Sequence, residues 1–154
     1  MTLGQIYDLA IKMAIDADPR KKSGVEKYLA RLKKEYNELP EKKKADFDRE
    51  NLSNPYTDSR IFLGDKNLKV KKIMVGIDIT AAEVVLADRL GKIDLLISHH
   101  PVGGSYASIH EVMDLQVDLL ANYGVPINIA EHIMDERINE VARAVSPRNH
   151  NQTV

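Results

Sequence analysis

The stretch IDLLISHHPVGG, residues 93–104, sets an apolar run against two adjacent histidines, a proline and a pair of glycines. A strand that is apolar over most of its length belongs where both faces of a sheet are covered, so residues 93–100 read as a parallel strand. Its polar end places His99 and His100 where that strand stops.

Working outward toward the N-terminus, AAEVVLADRLG (81–91) carries Ala82, Val85, Leu86 and Leu90 at helical spacing, with Gly91 as a stop. Before it, RIFLG (60–64) and VKKIMVGIDI (70–79) are short Ile- and Val-rich runs separated by the turn signal DKN, which predicts two strands pairing as a hairpin. Toward the C-terminus, HEVMDLQVDLLANYG (110–124) reads as a helix with Val112, Leu115, Leu119 and Leu120 on one side and Gly124 as its stop. VPINIAE (125–131) reads as a strand, and DERINEVARAV (135–145) as a final helix before Pro147. Strands alternating with helices predict an α/β fold, a mostly parallel sheet flanked by helices with right-handed crossovers.

The first third of the chain has a different period. Residues 3–17 place Leu3, Ile6, Leu9, Ala10, Met13 and Ala14 on a helical stripe, with Thr2 as N-cap. VEKYLARLKKEYNEL (25–39) repeats the pattern through Val25, Tyr28, Leu29, Leu32 and Tyr36, and Pro40 ends it. EKKKADFDRE (41–50) has few apolar residues and reads as a solvated face or linker, and NLSNPYTDS (51–59) as a loop. The expected organisation is a helical N-terminal segment, residues 1–55, packed on an α/β domain of residues 56–154.

Composition narrows the function classes. At 154 residues the chain suits one domain with a sizeable core. Its net charge of -1 gives no general attraction to nucleic acid or anionic lipid. Residues 1–70 hold fifteen Lys and Arg against twelve Asp and Glu, and the remainder seven against eleven. Cysteine is absent, which excludes disulfides, zinc-thiolate sites and a thiol nucleophile, leaving His and carboxylates as ligands for any metal. The N-terminus lacks a signal-peptide pattern, and LKVKKIMVGIDIT is too short and too charged to span a bilayer, so a cytoplasmic setting is expected.

Ligands in open α/β sheets bind outside the carboxyl ends of the strands. His99 and His100, Asp78, and the cluster Glu131, His132 and Asp135 all fall at such ends. Pro101 and the glycines can bend the chain so that both imidazoles reach one cavity, with carboxylates completing an open metal site. The bland readings are half-buried hydrogen-bonded histidines, Glu131 and Asp135 as helix N-terminal charges, and Asp78 as a cap for the helix near Ala81. His110 reads as a cap-region residue and His150 as part of the chain end. Gly103, Gly104 and Ser105 offer either backbone N–H groups to a phosphate or a simple turn.

The order VKKIMVGIDIT, helix, IDLLISHHP, helix, GVPINIAEHIMDERINEVARAV resembles the N-terminal half of the NIF-three-like family, also called GTP cyclohydrolase I type 2-like, over residues 56–146. "HHP" at a strand end is the most specific element. The resemblance implies two divalent metal ions (Zn, Mn, Fe, Ni or Co) held by His99, His100 and Asp135, with Glu131 and His132 as competitors for the third place. Remaining ligands come from a His and Glu motif of the family's C-terminal half, for which this sequence has no counterpart. It further implies homo-oligomeric rings or cages and metal-assisted hydrolysis of a small-molecule or nucleotide substrate. Two alternatives stand beside this: a non-enzymatic scaffold with a structural metal, and a nucleotide-binding module using the Gly103–Gly104 loop.

Overall fold

The computed structural model describes residues 1–145, and Pro147 and His150 lie outside the described residues. Helix α1, Leu3–Ala17, begins at Thr2 as expected. The Thr2 hydroxyl accepts from the Gln5 N–H at 3.2 Å while the Gln5 side chain accepts from the Thr2 N–H at 2.9 Å. This reciprocal cap satisfies donors that the first turn would otherwise leave open. Of the anticipated stripe Leu3 is buried, whereas Leu9 and Met13 stay exposed. Helix α2, Lys21–Glu38, buries Val25 and Tyr28.

Residues 41–50 are more structured than their composition indicates. Helix α3, Glu41–Ala45, and a 3-10 helix, Arg49–Leu52, form there. Phe47 packs on Tyr36 with ring centroids 5.0 Å apart, and the Asp48 side chain accepts from the Glu50 N–H at 2.9 Å. One aromatic contact and a side-chain cap thus hold a segment that a count of apolar residues assigns to solvent.

The predicted hairpin does not form. Residues 60–64 are not a strand, and Phe62 and Leu63 are exposed. The chain that follows runs beside the N-terminus instead: Leu3 N–H donates to Leu68 O and Gly4 N–H to Lys66 O, each at 2.9 Å, and Thr2 bridges Lys69 in antiparallel fashion. Lys66 O, Leu68 O and the Val70 N–H are thus taken by Met1 to Gly4, and the segment pairs with the start of the chain in place of a hairpin partner.

Strand β1, Ile73–Gly76, and strand β2, Leu95–Ser98, pair in parallel with Ile73 opposite Leu95 and Gly76 opposite Ser98. Asp94 secures the register: its carboxylate accepts from the Lys71 and Lys72 N–H groups at 2.8 Å each, while its own N–H donates to Lys72 O at 2.9 Å. Helix α4, Ala81–Leu90, joins the strands and stops at Gly91. Among the described residues the sheet has these two strands alone. The fold is therefore mixed helix and strand with a helical N-terminus. Ile73 and Val75 of β1, Ile77 just beyond it, and Val84, Val85, Leu86 and Leu90 on α4 remain exposed, and only Ala87 of that helix is buried.

Beyond β2, helix α5, Gly103–Ala107, replaces the simple turn read from GGS. The helix expected over 110–124 divides into a 3-10 helix, Ile109–Met113, and α6, Asp114–Asn122, which ends before Gly124 at a φ of 93°. The expected strand 125–131 is instead the start of α7, Ile127–Val145. Alternating Val125, Ile127 and Ile129 suggest period two, yet Ala130, Met134 and Ile138 form a helical stripe. That stripe packs with Met113, Val117, Leu120 and Val125 as the core between α6 and α7. Pro126 has no N–H for a sheet ladder and suits a helix start, and its carbonyl accepts from Ile129 and Ala130 at 2.9 and 3.0 Å. Among the described residues no helix is long and apolar enough to cross a membrane.

Candidate functional site at the strand ends

The parallel ladder continues one step past each strand. His99 N–H donates to Gly76 O at 2.9 Å and His100 N–H to Ile77 O at 2.8 Å, so the backbone under both histidines is held by the neighbouring chain. The Ser98 hydroxyl donates to His100 O at 2.7 Å and closes the turn before Pro101. An extended strand would send the two rings to opposite faces. Here their centroids lie 5.2 Å apart with planes inclined by 33°. The His pair thus presents both imidazoles at one strand end.

Asp78 reads from sequence as a metal ligand or as a cap for the helix near Ala81, and the cap is taken by other residues. Thr80 caps α4: its hydroxyl accepts from the Ala82 N–H at 3.2 Å, while the Glu83 carboxylate accepts from the Thr80 N–H at 2.7 Å. The hydrogen bond from the Thr80 hydroxyl, followed by those from the Thr80 and Glu83 backbone N–H groups, holds the Glu83 carboxyl below its ordinary pKa. With the cap filled, Asp78 turns to His100, and its Oδ1 lies 2.9 Å from His100 Nδ1. Both side chains are more than half exposed, and a pair in that setting contributes only ~0–1 kcal/mol to stability. Its consequence is orientation. A carboxylate at Nδ1 favours the proton there and leaves the Nε2 lone pair free for a metal or a proton.

The remaining candidates sit on other elements. Asp135, Glu131 and His132 are exposed on α7, where Asp135 accepts from Asn139 at 3.1 Å. That helix packs on α5, the 3-10 helix 109–113 and α6. Among the described residues no three His, Asp or Glu side chains converge on one point as a metal would require. His110 places Nδ1 3.1 Å from Ala107 O, the local cap-region contact expected of it. Gly103, Gly104 and Ser105 form the first turn of the five-residue helix α5.

Sequence reasoning missed a buried polar cluster on the opposite side of the chain order. Asp18 and Arg20, 7% and 6% exposed, form a two-pronged ion pair, with Nε 3.1 Å from Oδ1 and Nη2 2.9 Å from Oδ2. Tyr56 donates to the same Oδ2 at 2.9 Å, Asp118 of α6 lies 3.5 Å from Arg20, and Arg20 stacks over the Tyr28 ring. Burial raises the Asp18 carboxyl, but the Arg20 and Tyr56 hydrogen bonds outweigh it and hold the group below the usual carboxylate range. Nearby, Tyr7 donates to Glu50 and accepts from Asn54. The triplet Asp18-Pro19-Arg20 follows the end of α1, and nothing in it announces a tyrosine thirty-eight residues away. Comparison with family models, curated proteins and solved structures finds no match to this chain.

Proposed function

We propose that the chain is a cytoplasmic, NIF-three-like metal-binding protein whose metal site is built on His99 and His100 and serves hydrolysis of a small-molecule or nucleotide substrate. The observation that carries this reading is the Asp78–His100 contact beside His99, because it spends an exposed carboxylate on fixing an imidazole while adding little stability. The donor set fits a divalent cation in part: two imidazoles are at hand, and the resemblance assigns the rest to Asp135, or to Glu131 or His132, and to a further His and Glu. A divalent ion there supplies Lewis acidity for the hydrolysis. The chain's own contribution is to hold both rings on a zipped strand end and to keep the His100 tautomer fixed.

In the same reading β1 and β2 belong to a larger, mostly parallel sheet, and the exposed apolar residues of β1 and α4 are covered in a homo-oligomer. Metal content after loading with Zn or Mn and exhaustive dialysis tests the site. Wild type is expected to retain metal, the His99→Ala, His100→Ala double variant to lose it, and Asp78→Asn to bind ~10–100-fold more weakly. Equal metal in wild type and the double variant refutes the assignment.

A further inference from the structure

The histidine pair supplies two of the four ligands that a closed tetrahedral metal site needs. Two imidazoles sharing one such ion, each bound at ~2.0–2.1 Å, have ring centroids about 5 Å apart. Those of His99 and His100 are 5.2 Å apart, and both residues are exposed. Among the described residues no third His, Asp or Glu converges with them. Asp78 is engaged at His100 Nδ1, and Asp135, Glu131 and His132 stand on α7. An exposed chelating pair that its own chain leaves half complete is matched by the same pair on a second copy, because a twofold axis brings identical surfaces together.

The surface beside the pair favours that partner. Ile73, Val75 and Ile77 alternate along the chain and so share one face, where they are 41%, 68% and 64% exposed. The register that sets Gly76 opposite Ser98 brings Ile77 beside His99 at its next step, so this apolar stripe runs up to the imidazoles. Parallel strands are ordinarily covered on both faces. The stripe offers roughly 300 Å² of apolar side chain against the ~800 Å² per partner of a stable complex, too little to hold two chains without a further link. Charge completes the match. Four neutral imidazoles leave a divalent ion with two positive charges, and one Asp78 from each copy, at the Nδ1 of its own His100, supplies two negative ones.

We propose that a zinc-type divalent cation bridges two copies of this chain across a twofold axis, held by His99 and His100 of each, with the two β1 stripes packed beside it. This rests on the metal reading of the histidines and adds that the site is complete only between two copies.

Sedimentation equilibrium of the full chain tests it, in EDTA and with Zn added from zero to two equivalents, with bound metal measured on the same samples. A monomer in EDTA should become a dimer whose formation saturates at one Zn per two chains. His99→Ala and His100→Ala, each alone, should weaken Zn-dependent dimerisation at least tenfold. Val75→Lys, which places a charge on the exposed stripe without touching a ligand, should also weaken it at least tenfold while leaving the melting temperature of the metal-free chain unchanged. Zn bound at one per chain with the mass still monomeric overturns the shared site and leaves the metal reading standing, whereas no bound Zn overturns both. A dimer equally strong in EDTA and in Zn, or one that the histidine variants leave intact, also overturns the proposal.

Discussion

Replacing Asp18 by Asn tests whether the buried ion pair holds the N-terminal helices to the rest of the chain. The carboxylate accepts four hydrogen bonds: the Arg20 N–H at 2.8 Å and Nε at 3.1 Å on Oδ1, and Arg20 Nη2 and the Tyr56 hydroxyl, both at 2.9 Å, on Oδ2. An Asn oxygen can keep the first two, but its NH₂ then faces two donors. Breaking one side of a buried pair costs ~3–5 kcal/mol. Asp118, 3.5 Å from Arg20 and partly exposed, retains part of the pairing and places the expected loss at about 3 kcal/mol. For a chain of this size that is a fall of about 6–12 °C in melting temperature. Tyr56→Phe removes only the bond to Oδ2, with an expected loss of about 1.5 kcal/mol. Because both changes remove that same bond, the double variant should fall short of the summed losses by about 1 kcal/mol. Urea unfolding followed by circular dichroism, with equal slopes for all variants, supplies the numbers. A loss below about 1 kcal/mol for Asp18→Asn would refute the reasoning, since it would mean that the cluster is wet or interchangeable with a neutral contact.

Acid titration should separate two kinds of carboxylate. Asp18 is depressed, so its stabilisation is present above its unfolded pKa and lost as pH falls through the lower folded value; Asp18→Asn should flatten the acid limb of stability against pH. Glu111 and Asp114 are raised by burial, so their contribution is full below the ordinary carboxylate pKa and lost as pH rises through the folded values. Glu111→Gln and Asp114→Asn should therefore raise the melting temperature of the ligand-free chain at pH 7 and leave it nearly unchanged at pH 3, as read by calorimetric scans; a decrease at pH 7 contradicts the desolvation argument. Gly124 sits at a φ of 93°, where a Cβ meets no neighbour but the backbone is strained, so Gly124→Ala should cost ~1–2 kcal/mol in urea unfolding, against no change if the turn simply relaxes.

Local chemistry was legible because it depends on neighbours in the chain. Thr2 as N-cap, Gly91 and Gly124 as stops, the apolar strand ending in His99 and His100, and the parallel β-α-β unit all follow from residues within a few positions of one another. Asp78 shows where that reach ends. Metal ligand and helix cap are its two readings from sequence; the structure fills the cap with Thr80 and Glu83 and sets Asp78 against His100, a contact that spacing alone does not suggest.

Whatever depended on competition between distant groups was decided by the tertiary structure. The backbone of residues 66–70 pairs with the N-terminus in place of a hairpin, because Met1 to Gly4 supply donors and acceptors to it. Residues 125–131 read as a strand, but burial of Ala130 and Met134 against Val117 makes a helix from Ile127 onward, since the apolar contact with α6 outweighs a short run of strand propensity. Asp18 reaches Tyr56, and the Ser105 hydroxyl is buried with no partner among the described residues, only once α2, the loop 54–60 and the segment 103–122 are brought together. Composition and spacing determine which groups are available, and packing determines which of them are satisfied.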